Sequence, residues 1–148
     1  MTEFEIRTFN VQTDYDTLNS WLVDGYKWKS GIPEEFLGEG LVASCQGEPI
    51  AMGFMAFVNG TKIALLMHMI GNPEKLSKLK QEGLERIIDT LCDYIYSRLG
   101  EDAGIIGIYE DTSVLRILEK MGFTISQGEH FKVFKMFKEH DTDFIEGE

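Results

Sequence analysis

Apolar positions along the chain change their period several times, and each change marks an element. Phe4 to Val11 alternates loosely and is rich in β-forming residues, which predicts a strand. Thr13, with Asp16 three residues on, resembles a capping box. Leu18, Trp21 and Leu22 then recur at helical spacing until Gly25, so a helix follows with one buried face. Tyr26 to Gly40 keeps neither period and predicts a loop, unusually aromatic for an exposed segment; it either covers a ligand or packs on the sheet.

Leu41 to Cys45, Pro49 to Val58 and Thr61 to Ile70 are β-like runs, separated by Gln46-Gly47-Glu48 and by Asn59-Gly60. Asn-Gly is the strongest short hairpin signal in the chain. Connections this short cannot carry parallel crossovers, so the three runs predict an antiparallel meander. From Leu76 the period becomes helical, with Leu79, Leu84, Ile87, Ile88, Leu91, Ile95 and Leu99 on one stripe and Gly100 as the terminating glycine. Ala103 to Tyr109 predicts a strand, Asp111-Thr112-Ser113 caps a helix reaching Met121, and Phe123 to Ser126 with His130 to Phe137 predicts a closing hairpin. Residues 1–138 then form one α/β domain, a mixed sheet with helices packed on it, and residues 139–148 form an acidic, flexible tail.

Composition narrows the function more than the fold. With 148 residues and 43% hydrophobic content, the chain builds one core and one principal site. Cys45 and Cys92 lack metal-binding or redox spacing and read as core residues, so no metal is expected. The N-terminal residues have no secretory-signal pattern, and IALLMHMIG from Ile63 is far short of the roughly 20 residues that span a bilayer, so the expectation is a cytoplasmic protein with no membrane partner. Twenty-five acidic against fourteen basic residues leave a net charge of −11, which repels a phosphate backbone and argues against nucleic acid.

The order strand, helix, aromatic loop, three-stranded meander, long helix, strand, helix, hairpin resembles the GNAT family of acyl-CoA N-acetyltransferases over nearly the whole chain. The most specific local match is Asp111 to Phe123, where Glu119, Lys120, Gly122 and Phe123 coincide with the family's EKxGF segment. WLVDGYKWKSGIPEEF, GEPIAMGF and the Ile70 to Glu74 junction are similar to GNAT-like proteins of tailed bacteriophages, which would place the protein in a host cytoplasm.

The resemblance implies a mostly antiparallel sheet whose fourth and fifth strands splay apart. Acetyl-CoA as acyl donor would then lie against Met69, Ile70 and Gly71, with its phosphates near Lys75, Lys78, Lys80, Gln81 and Gly83. The window Lys80 to Glu85 fits the family's phosphate loop only at Gly83, and Glu85 stands where an anion should approach. Ordinary helix is the competing reading. Leu118 occupies the position where many members carry a tyrosine acid.

His68 on the fourth strand is the candidate base, with a packing histidine as the alternative, and Glu110 is a second candidate. Tyr26, Trp28, Glu34 and Glu35 in the aromatic loop are candidates for meeting an amine acceptor, while the spacing of Trp21 makes it core. Two functions follow. One is acetyl transfer to a primary amine of a small molecule or protein; the other is a protein that has lost turnover and acts by binding coenzyme A or a host protein.

Overall fold

The computed structural model describes residues 3–109, 111–126 and 131–136. Its centre is a seven-stranded sheet of β1 (Glu5–Thr8), β2 (Glu39–Cys45), β3 (Glu48–Phe57), β4 (Ile63–Gly71), β5 (Gly104–Tyr109), β6 (Thr124–Ser126) and β7 (Phe131–Met136), in the spatial order β1-β2-β3-β4-β5-β7-β6. Every neighbouring pair is antiparallel except β4 with β5. That parallel pair is possible because the longest helix connects the two strands.

Three helices cover the sheet: α1 (Val11–Ser20), α2 (Ser77–Leu99) and α3 (Thr112–Lys120). The period-two pattern of β3 divides the core between the two faces. Ala51 and Met55 join α2 and α3 in one cluster with Leu84, Ile87, Ile88 and Leu118, while Met52 and Phe54 meet Leu18, Trp21 and Leu22 in the other. The sheet is thus sandwiched between α2 with α3 on one side and α1 with the aromatic segment on the other, a mixed α/β fold.

Several local devices differ from the sequence expectation. α1 starts at Val11, before the expected box at Thr13. Asn10 is its N-cap, accepting from the Gln12 amide, and Asp14 reaches back to the Asn10 amide at 2.8 Å. Arg7 on β1 grips both oxygens of that carboxylate at 2.7 and 2.8 Å, a bidentate tie between strand and helix. α1 then widens into a π-helical turn, Trp21–Gly25. The two-residue hairpin with both central φ positive is Gln46-Gly47, at +53° and +79°. At Asn59-Gly60 only Gly60 has positive φ, in a longer loop.

One irregularity shapes the rest. Met52 pairs with Ile70 and Phe54 with Met67, so Gly53 faces both His68 and Met69 across a β-bulge. His68 takes the left-handed φ of +51°. The extra residue inverts the alternation of β4. Before it Ala64 and Leu66 face α2, and after it Met69 does, while Met67 and Ile70 face α1. Gly53 is required opposite the bulge, since a Cβ there would lie 2.6 Å from Met69 Sδ and 2.8 Å from Ile87 Cγ2.

The turn of the closing hairpin at 127–130 and the tail at 139–148 lie outside the described residues. Among the described residues no helix is long and apolar enough to cross a membrane.

Gly53→Ala should therefore lower stability by about 1–3 kcal/mol in urea unfolding, the usual cost of overpacking a tight site. A second expectation concerns Asp14, 3% exposed, whose carboxyl the Arg7 guanidinium holds below its usual pKa. A depressed folded-state pKa stabilises above the unfolded value, near 3.9, and the benefit disappears as pH falls through the folded one. Asp14→Asn should cost about 1–2 kcal/mol at pH 7, discounted for the partly exposed Arg7. Denaturation curves of the two proteins should converge below about pH 4.

Candidate functional site

The β4 and β5 register runs from Ile63↔Gly104 to Leu65↔Ile106 and stops, although both strands continue. Beyond that point, among the described residues, β5 remains paired only with β7, and β4 only with β3. The two strands part into a V, and a cavity of 530 Å³ opens between them. His68, Met69, Ile70 and Gly71 form its β4 wall and Tyr109 its β5 wall.

The bulge determines which backbone groups face this opening. Asn72 N–H donates to Ile50 O at 2.8 Å, which makes Gly71 and Ala51 a non-hydrogen-bonded pair and turns the Gly71 carbonyl away from β3. Tyr26 follows the π-helical turn, and its hydroxyl donates to that carbonyl at 2.7 Å. Gly25 permits the approach, because a Cβ there would lie 2.3 Å from Pro73. His68 points its ring towards the aromatic segment, with Nε2 3.0 Å from Phe36 O. A carbonyl only accepts, so Nε2 is the donor and the lone pair of the neutral ring is on Nδ1.

Two helix N-termini border the cavity. Ser77, Lys80 and Gln81 of α2 line it, as do Asp111, the N-cap of α3, and Ser113. In α2 the first intrahelical bond is Lys80 N–H to Leu76 O, so the amides of Ser77, Lys78 and Leu79 precede the ladder and carry the positive end of the helix dipole. The Lys80 stem packs on Gly71, where a Cβ would come within 2.8 Å of it, and its ammonium sits 5.9 Å from the centre of the Tyr26 ring. Burial, and secondarily the Asp111 charge, raises the Tyr26 phenol above its ordinary pKa. Burial raises that of Tyr109 much further.

Of the residues expected at a site, His68, Met69, Ile70, Gly71, Lys80, Gln81, Tyr26 and Trp28 come together around the cavity. The others do not. Lys75 is ion-paired with Glu48, and Lys78 is exposed outside the cavity lining. Gly83 is a packing glycine two turns into α2, where a Cβ would stand 3.3 Å from Ala51 and Ile50. Glu85 reaches Lys120 at 2.8 Å, a pair between α2 and α3 that does not face the cavity. Glu34 and Glu35 lie in a 3₁₀ turn, Glu34 lining a separate depression beside Phe9. Leu118 is fully buried in the core. Glu110 lies outside the described residues.

The aromatic segment both packs and covers. Ile32 and Leu37 are buried against the sheet, while Trp28, 48% exposed, lines the cavity mouth. Tyr109, Ser77, Asp111 and Ser113 were not anticipated. The signal for Tyr109 was present: Ile105, Gly107 and Tyr109 share one face of β5, and the glycine leaves room for the ring. No group of three or more His, Cys, Asp or Glu able to hold a metal occurs among the described residues.

No family model matches the sequence, and no curated protein matches it. Solved structures do match the fold. A probable acetyltransferase from Staphylococcus epidermidis aligns over 90% of this chain and 98% of its own, with a TM-score of 0.67 and 13% identity. The aminoglycoside 6′-N-acetyltransferase of Enterococcus faecium aligns over 93% and 99%, with a TM-score of 0.66 and 15% identity. The PaiA N-acetyltransferase of Thermoplasma acidophilum, crystallised in complex with coenzyme A, aligns over 90% and 99%, with a TM-score of 0.66 and 15% identity. The chain has the fold of GNAT acetyltransferases.

Proposed function

We propose that the protein is a GNAT-type N-acetyltransferase moving an acetyl group from acetyl-CoA to a primary amine of a small molecule or protein. The observation that carries this reading is the parting of β4 from β5 beside the His68 bulge, with the N-terminus of α2 opening onto the same cavity. A coenzyme A thioester is long, with a strongly anionic end and an extended amide-rich arm. A helix N-terminus flanked by Ser77, Lys80 and Gln81 suits the anionic end, and the unpaired edge of β4 from Met69 to Gly71 suits the arm.

In this proposal a backbone N–H at the bulge, near Met69, donates to the thioester oxygen as it gains charge. The amine enters beneath Tyr26 and Trp28, where Asp111 draws an ammonium inward. Nδ1 of His68 takes its proton, directly or through water. Glu110, lying in sequence between the cavity residues Tyr109 and Asp111, is a second carboxylate for the same task. Lys75, Lys78 and Gly83, which the family resemblance also implies at the phosphates, do not line the cavity, so this reading assigns the anionic end to Ser77, Lys80 and Gln81.

A second reading keeps coenzyme A or a host protein as ligand but not turnover. It is favoured by the Tyr26 hydroxyl, which already occupies the Gly71 carbonyl that an arm along β4 would use. Here the fold serves binding alone.

Calorimetry with acetyl-CoA should show one site per chain, and Lys80→Ala should weaken it about tenfold while Lys75→Ala stays within about twofold. Equal effects of the two substitutions would place the phosphates elsewhere. Acetyl-CoA consumption with a panel of amines should be measurable, and His68→Ala should lower kcat by about 10²-fold or more. Binding without turnover of any amine would select the second reading; no binding would reject both for coenzyme A.

A further inference from the structure

The Tyr109 hydroxyl is the one buried side-chain polar atom without a hydrogen-bond partner among the described residues. The residue is 9% exposed and yet lines the cavity. A buried hydroxyl left unpaired weakens a fold, so its persistence calls for a partner that arrives later.

Its position within the V says which part of a ligand could supply that partner. Continuing the β4 and β5 register past Leu65↔Ile106 sets Gly107 beside Leu66. Consistently, a Cβ on Gly107 would lie 3.2 Å from the Leu66 carbonyl oxygen and 2.6 Å from Tyr109 Cε2. The Tyr109 ring is therefore folded back over Gly107, at the closed end of the opening. Lys80 and the α2 N-terminus stand beside Gly71, at the open end. With the phosphates beyond Gly71 at the open end, an extended pantetheine arm running down β4 brings the thioester to the bulge, and the continued register sets Tyr109 level with His68 there.

We propose that the Tyr109 hydroxyl is the hydrogen-bond donor that receives the thioester end of the acyl donor, a contact that none of the described residues makes. This deepens the acetyltransferase reading and rests on it. Burial keeps the phenol protonated throughout the neutral range, so it acts as a donor and not as an acid. During transfer the amine lone pair forms the C–N bond, the C–S bond breaks with its electron pair going to sulfur, and the proton lost by nitrogen ends on sulfur. Tyr109 keeps its own proton and stabilises the charge on the departing sulfur, a service that the buried Leu118 does not provide.

The test is Tyr109→Phe, read two ways. In urea unfolding without ligand the variant should be as stable as the parent or more so, because the lost hydroxyl has no partner among the described residues. Its affinity for acetyl-CoA should fall about tenfold, while its affinity for adenosine 3′,5′-bisphosphate, a probe of the nucleotide end alone, should stay within about twofold. A less stable variant, an unchanged acetyl-CoA affinity, or equal weakening for both ligands would each overturn the proposal. Failure of the unsubstituted protein to bind acetyl-CoA would instead reject the acetyltransferase reading, and the assignment of Tyr109 with it.

Discussion

One inserted residue organises the centre of this protein. With His68 held at φ +51° against Gly53, β4 carries two different face assignments, one on each side of the bulge. The inversion places Met69 under α2 and Ile70 under α1 while leaving the β4 edge unpaired where β5 turns away. A regular strand could satisfy the packing on one side of this point or on the other, but not on both. Left-handed backbone at a residue other than glycine persists only where its surroundings over-determine it. Here the Phe36 carbonyl holds the ring, and the missing Gly53 side chain makes room for Met69.

The aromatic segment is the counterpart of the bulge. It carries little regular structure, yet Tyr15 donates to Ile32 O at 2.7 Å, the Asn19 side chain accepts the Ile32 amide at 3.1 Å, and Tyr26 donates to Gly71 O. A segment tethered at Tyr26 and Ile32, on either side of Trp28, can hold that side chain at the cavity mouth without burying it. Its fixation depends in turn on α1, which the buried Asp14 ties to β1 through Arg7.

Much of the fold was legible in the chain because turn residues set off the apolar runs of β2, β3 and β4, and the apolar stripe of α2 keeps its helical period. The bulge was not, since IALLMHMIG is almost wholly apolar and a parity change within it leaves no polar residue out of place. The start of α2 was also obscure. Leu76, its N-cap, is 81% exposed and has no capping side chain, so the family's phosphate-loop pattern drew attention to Gly83, already deep in the helix. The β4 residues of the cavity and Lys80 were found because the family resemblance marks an edge and an anion site. Tyr109 escaped because a tyrosine at a strand end reads equally as core.

Only three residue pairs join β4 to β5, whereas β3 to β4 and β5 to β7 each have six. Mechanically the sheet is two plates, β1 to β4 and β5 to β7, meeting along a short seam. Long antiparallel ladders hold each plate together, and among the described residues of the sheet the three-pair seam alone joins them. The cavity walls belong to different plates, so whatever occupies the space acts as a strut across the angle between them and sets how far the two halves can move against each other.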